Sequence, residues 1–232
     1  QIGVMLAHSS LSSYSGKLYK QSTEPVVLQS KVHSMSTIRS ALTNKLTKVK
    51  TDSYADGGEE SFYALWKLLD PTNRAAAEAQ GFFRADAAQA IVFISDEQDI
   101  CTDYPAGVTP VYDADKIEPK AKARDCSGIN PQTLHAKIKD FAGNRPLLVS
   151  GLIYNDTVSY PRTNENEYGY GYTELIRLAN GLAIDLADGN YEDGLAQIGT
   201  LATIKLNLQT QFTLAQPDVD ASSIQVRVDG AI

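Results

Sequence analysis

Two rhythms of apolar and polar positions run along the chain, and they alternate. Ile38, Leu42, Leu46 and Val49 recur at helical spacing, with Ser34 or Ser36 as candidate caps. Phe62, Leu65, Trp66 and Leu69 predict a second helix, stopped near Pro71, and an Ala-rich helical stretch follows over 74–80. Asn130-Pro131 reads as a cap with proline at the first helical position, opening a helix marked by Leu134, Ile138 and Phe141. A short helix over 173–180 closes at Gly181, and the last runs from Asn190 to Ile204. Among these lie largely apolar runs: 2–7, 90–94 (unbroken), 147–153 and 182–186, with a more exposed strand region around 25–28. Continuous runs of this length suit strands buried on both faces, as in a parallel sheet with helices on each side.

The alternation of strand and helix predicts an α/β domain over 1–205 with a doubly wound, mostly parallel sheet. The tail breaks the rhythm. Gln211 to Leu214 and Ser223 to Val228 alternate apolar and polar residues, with turn signals at Pro217-Asp218 and Asp229-Gly230. Residues 206–232 therefore read as the start of an antiparallel β appendage.

The run Ala90-Ile91-Val92-Phe93-Ile94 leads directly into Ser95, Asp96, Glu97, Gln98 and Asp99. Open α/β sheets bind ligands beyond the carboxyl ends of their strands. Three carboxylates in four residues repel one another there unless they are solvated or hold a cation. Ser9-Ser10 and the polar loop 51–60 also follow strands or precede helices, so they can converge on the same edge. Hydroxyls with carboxylates, and no histidine or thiolate, suit Mg²⁺, Mn²⁺ or Ca²⁺. A solvated acidic loop is the plain alternative.

Other chemistry drops out. No GxSxG elbow, phosphate-binding P-loop or HExxH pattern is present. Gly169-Tyr170-Gly171 lacks the third glycine of a dinucleotide fingerprint. The run from Asp52 to Gly57 fails as a calcium loop, because Tyr54 takes a ligand position and Tyr63 stands where a bidentate Glu is required. Asp185, Asp188 and Asp193 fit a capped helix start.

Hydrophobic content of 43% and charged content of 21% describe an ordinary globular chain, and no apolar run approaches a membrane span. A net charge of −7 argues against nucleic acid as the main partner. Residues 1–50 nevertheless hold seven Lys and Arg against one Glu. Cys101 and Cys126 bracket a long proline-punctuated segment outside any CxxC pair, and the three histidines are scattered, which disfavours a zinc site. A disulfide is preferred over free thiols, and it implies a location outside the reducing cytosol. The tyrosines at 154, 160, 168, 170 and 172 form a candidate recognition loop.

The stretch Gly81-Phe82-Phe83-Arg84-Ala85-Asp86-Ala87, followed by Ile91 to Asp99 and Cys101, resembles von Willebrand factor A (vWA) domains of secreted bacterial proteins and lipoproteins. Gln1 to Val4, Gly58-Glu59-Glu60 and the tail from Phe212 to Gly230 extend the resemblance in order. It implies a non-enzymatic adhesion module, with a divalent cation bridging the domain to a carboxylate of a protein ligand on a cell or envelope surface. Three loops build that site in the family: DxSxS, a threonine loop, and an aspartate after the fourth strand. The aspartate maps onto Asp96, and the threonine falls near Glu59, with Ser61 or Thr51 as substitutes. The DxSxS strand has no counterpart in these residues, so on the resemblance either an upstream segment supplies it or the site has been lost. The expected site is therefore Asp96, Glu59, Asp99 and Ser61 for the metal; Glu97, Tyr168, Tyr170 and Tyr172 for the ligand; and Cys101 with Cys126 as the disulfide. The alternatives are a metal-free interaction domain of an envelope assembly and, behind it, a metal-assisted hydrolase.

Overall fold

A computed structural model describes residues 1–8, 10–21, 23–49, 59–85, 87–101, 126, 128–158, 166–206 and 220. Three parallel strands lie in the order β1 (Gln89–Ile94), β2 (Leu147–Ile153), β3 (Ala183–Asp185). Three helices precede them: α1 (Met35–Thr47), α2 (Ser61–Leu68) and α3 (Pro71–Ala79). The crossovers carry α4 (Pro131–Ala142) and α5 (Tyr172–Leu178), and α6 (Tyr191–Leu206) follows a 3₁₀ turn at Leu186–Asp188. Register runs from Gln89 opposite Leu147 to Ile94 opposite Leu152, and from Gly151 opposite Ala183 to Ile153 opposite Asp185.

Strand alternation divides the core in two. Phe93, Val149 and Ile153 turn to one face, where Phe62, Leu65, Leu134, Ile138, Tyr172 and Leu175 of three helices cover them. Leu148, Leu152 and Ile184 turn to the other, against Ile198 of α6. Helices thus pack on both faces of a parallel sheet, as the strand–helix alternation predicts. Each such side chain contributes about 1.5–3 kcal/mol by leaving water.

The local signals explain most boundaries. Asn130 accepts the Thr133 amide while Thr133 accepts the Asn130 amide, a capping box that opens α4 with Pro131 in the first turn. Ser34 caps α1 by accepting from the Thr37 amide. Pro71 does more than stop α2, since it occupies the first turn of α3.

Four expectations are corrected. The run 2–7 forms no strand of the parallel sheet; Ile2 instead makes a single antiparallel bridge to Leu28, exchanging N–H···O bonds of 2.8 and 2.9 Å. Val27 and Leu28 are buried, not exposed, because Leu28 packs with Ile38 and Ala41 of α1. Helix α1 buries Ile38, Ala41 and Lys45 and leaves Leu46 exposed, and Val49, beyond its end, is exposed as well. Strand β1 is not buried on both faces: Val92 is 43% and Ile94 57% exposed, because β1 is an edge of the three-stranded sheet and α6 packs on β2 and β3. The expected appendage over 206–232 lies outside the described residues, except for the end of α6 and Asp220, as do Ser9, Thr51, the loop 51–58 and Tyr160.

Candidate functional site at the carboxyl edge of the sheet

The chain leaving β1 turns at once. Ser95 Oγ donates to the Glu97 carbonyl at 3.0 Å and accepts the Glu97 amide at 3.3 Å, closing the turn around Asp96. Beyond it Asp99 runs beside Glu59 in a parallel bridge, and Ile100 N–H donates to the Glu59 carbonyl at 2.9 Å.

Asp99 is wholly buried, and both its carboxylate oxygens are engaged. Oδ2 accepts the Phe62 amide at 2.8 Å and Oδ1 the Cys101 amide at 2.9 Å. Phe62 lies in the first turn of α2, whose N-cap residue Glu60 makes no capping bond with its side chain. A helix start leaves its first N–H groups without partners in the helix, and here an acid 37 positions away serves one of them. Burial pushes the Asp99 carboxyl up to about 8, against the pull of the two amides, and the charge of Glu59 adds to the rise.

Tyr172 completes this cluster from α5. Its hydroxyl donates to Ser61 Oγ at 3.0 Å, and its ring meets Phe62 edge-on with centroids 5.5 Å apart. Burial, then the charges of Asp99 and Glu59, hold its phenol well above the ordinary range. The structure therefore brings together Asp99, Ser61, Tyr172 and Glu59.

Asp96 and Glu97 occupy the outer side of the turn. The Asp96 carbonyl accepts the Glu167 amide at 2.8 Å, while its carboxylate is exposed and raises the Tyr154 phenol after burial has done so. Glu97 is half-buried. Tyr168 and Tyr170 meet edge to face at a 4.5 Å centroid distance, and the Tyr170 carbonyl accepts the Asp99 amide at 3.2 Å, fixing the pair beside the acidic turn.

Cys101 and Cys126 are joined in a disulfide across 25 positions. A carboxylate oxygen of Glu60 and the two sulfurs lie within 4.8 Å of one another. Bonded sulfurs are not thiolate ligands. Among the described residues, Asp96, Glu59 and Asp99 do not gather three ligand atoms that closely. With both Asp99 oxygens turned to backbone amides, these residues do not close a cation shell by themselves.

Glu60, Gln98, Glu167 and Ser95 were not among the expected site residues, yet all are buried at this edge. Gln98 Oε1 finds no hydrogen-bond partner among the described residues, and Glu167 Oε2 accepts the Gln98 amide at 3.4 Å. Nothing in the apolar pattern separates these polar residues from solvated neighbours. The closeness of Gln98 and Ser95 to the acid run, and the place of Glu60 beside Glu59, were the signals that hinted at them.

Set against family models, curated proteins and solved structures, the chain matches none of them.

Proposed function

We propose that the chain is a non-enzymatic, adhesion-type protein-binding module of the vWA kind, with a doubly wound sheet and its recognition surface at the carboxyl edge. The observation that carries this reading is the contrast among the acids. Asp99, Glu60 and Glu167 are buried there, Glu59 and Glu97 are half-buried, and Asp96 is exposed. An exposed carboxylate at the crevice of an α/β sheet is placed to meet a ligand. Asp96 would hold Mg²⁺, Mn²⁺ or Ca²⁺ jointly with a carboxylate of a protein ligand, a hard cation suiting all-oxygen ligands. The disulfide supports an extracytoplasmic setting, and no described helix is long and apolar enough to cross a membrane.

Calorimetric titration of the three cations into the protein and into Asp96→Ala tests the reading. Saturable heat in the parent and none in the variant is the expected outcome. Equal heats in both would sink the assignment to Asp96. Absence of heat in both would favour the metal-free interaction domain, for which the paired Tyr168 and Tyr170 rings beside the turn are the specific support.

A further inference from the structure

Glu60, Cys101 and Cys126 meet between the end of β1, the start of α2 and the approach to α4. A carboxylate oxygen of Glu60 and the two sulfurs lie within 4.8 Å of one another. Glu60 is wholly buried, Cys101 is buried and Cys126 is half-buried. As a disulfide, the sulfur pair supplies this acid neither a cation nor a hydrogen-bond donor. Two thiolates with a carboxylate are instead a metal-ligating set.

Each member is held by hydrogen bonds that do not involve sulfur. The Glu60 amide donates to the Ala7 carbonyl at 2.9 Å, and Glu60 Oε2 accepts the Ser10 amide at 2.6 Å. The Cys101 amide donates to Asp99 Oδ1 at 2.9 Å, and the Cys126 carbonyl accepts the Ile129 amide at 2.9 Å. Opening the bridge removes none of these anchors. The Cα atoms of the two cysteines are 5.2 Å apart. Tetrahedral zinc, with Zn–S bonds of about 2.3 Å, needs its two sulfurs roughly 3.7–3.8 Å apart. Side-chain rotation alone reaches that spacing from Cα atoms this close.

We propose that reduction of the Cys101–Cys126 bridge converts it, together with Glu60, into a Zn²⁺ site, so that disulfide and metal are alternative states of one switch. The reductant is a dithiol. Its thiolate attacks Sγ of Cys126, the half-buried member, and Cys101 leaves as the thiolate. The second thiol of the reductant then closes the reductant's own disulfide and releases Cys126. Two electrons and two protons pass from the dithiol to the cysteine pair. Zn²⁺ displaces the thiol protons to solvent, and the Glu60 carboxylate completes the set. Thiolates select zinc over Mg²⁺ and Ca²⁺, which separates this site chemically from an all-oxygen site at Asp96. Three protein ligands leave the fourth tetrahedral position to water or to a donor atom of a ligand. Oxidation expels the metal, because bonded sulfurs no longer act as thiolate ligands.

Anaerobic calorimetric titration of Zn²⁺ into the oxidised protein, and into protein reduced by a dithiol that is then removed, tests the switch. One equivalent should bind the reduced protein at least about a hundredfold more tightly, and Glu60→Gln should weaken that binding at least about tenfold. Equal affinity in the two redox states overturns the proposal. So does a reduced Glu60→Gln protein that binds zinc like the parent, since two thiols alone would then account for it. Zinc binding that falls in Asp96→Ala also overturns it, by moving the metal to the acidic turn. Should reduction unfold the chain, the urea midpoint is the second arm. Zinc should raise the midpoint of the reduced protein, because only the folded chain brings Glu60 to the sulfurs. An unchanged midpoint, or an equal rise in Glu60→Gln, overturns the site.

Discussion

Asp99 and Phe62 join the end of β1 to the start of α2: the Asp99 carboxylate accepts the Phe62 amide at 2.8 Å with no exposure to solvent. Through the second oxygen the same carboxylate holds Cys101, the first residue of the disulfide. Strand, helix and covalent loop thus meet at one acid.

Replacing that acid should be costly. Asp99→Ala strands the Phe62 and Cys101 amides in a dry site, and each unsatisfied buried donor costs about 1–3 kcal/mol. Urea unfolding of the variant should show a loss of about 2–5 kcal/mol. A loss below about 0.5 kcal/mol would mean that these bonds do not hold the edge together.

The same residue sets a pH dependence. Its folded carboxyl titrates at about 8, whereas an unfolded Asp titrates near its ordinary value of 3.8. The folded state therefore keeps a proton that the unfolded chain releases. This contribution is fully present below the unfolded value and is lost as pH rises toward about 8, with a slope of at most about 1.4 kcal/mol per pH unit. Urea midpoints measured across that window should fall with pH in the parent and flatten in Asp99→Asn. A parent profile that rises instead would contradict the assignment.

Tyr172→Phe removes the hydroxyl that donates to Ser61 Oγ while keeping the ring against Phe62. The expected cost is about 1–2 kcal/mol. In a double-mutant cycle with Asp99→Asn the two changes should couple by more than about 0.5 kcal/mol; strict additivity would separate the phenol from the acid.

Reduction of the Cys101–Cys126 disulfide should lower stability by roughly 3–4 kcal/mol, the chain-entropy value for a loop of this length. Intact mass before and after reduction and alkylation confirms the bond, and the shift in urea midpoint gives its weight. An unchanged midpoint would place that weight near zero.

Two glycines should answer differently to alanine. A β-carbon at Gly181 would lie 1.6 Å from the Val149 carbonyl oxygen, so Gly181→Ala must push α5 off β2 and should cost more than about 3 kcal/mol. Gly143, at φ +58° with open space around it, should lose only about 1–3 kcal/mol to backbone strain. Thermal melts of the pair decide; equal losses would show that conformation, not contact, dominates at Gly181.

Much of this fold is written locally. Asn130-Pro131 starts α4 because a side-chain acceptor and a fixed φ act within one turn, and Leu147 to Ile153 is a buried strand because its apolar run admits no solvated face. The strand–helix rhythm likewise gives the parallel sheet, and the acids after Phe93 and Ile94 mark its carboxyl edge. The rest depends on groups distant in sequence. Gly181 reads as a helix stop, yet its decisive neighbour is Val149, 32 positions away along the chain. Asp96 and Asp99 look alike in the sequence; solvent reaches one and backbone amides enclose the other. Exposure of Val92 and Ile94 could not be read from an apolar run, because burial depends on what lies across a sheet face, and only the tertiary structure shows which face α6 leaves uncovered.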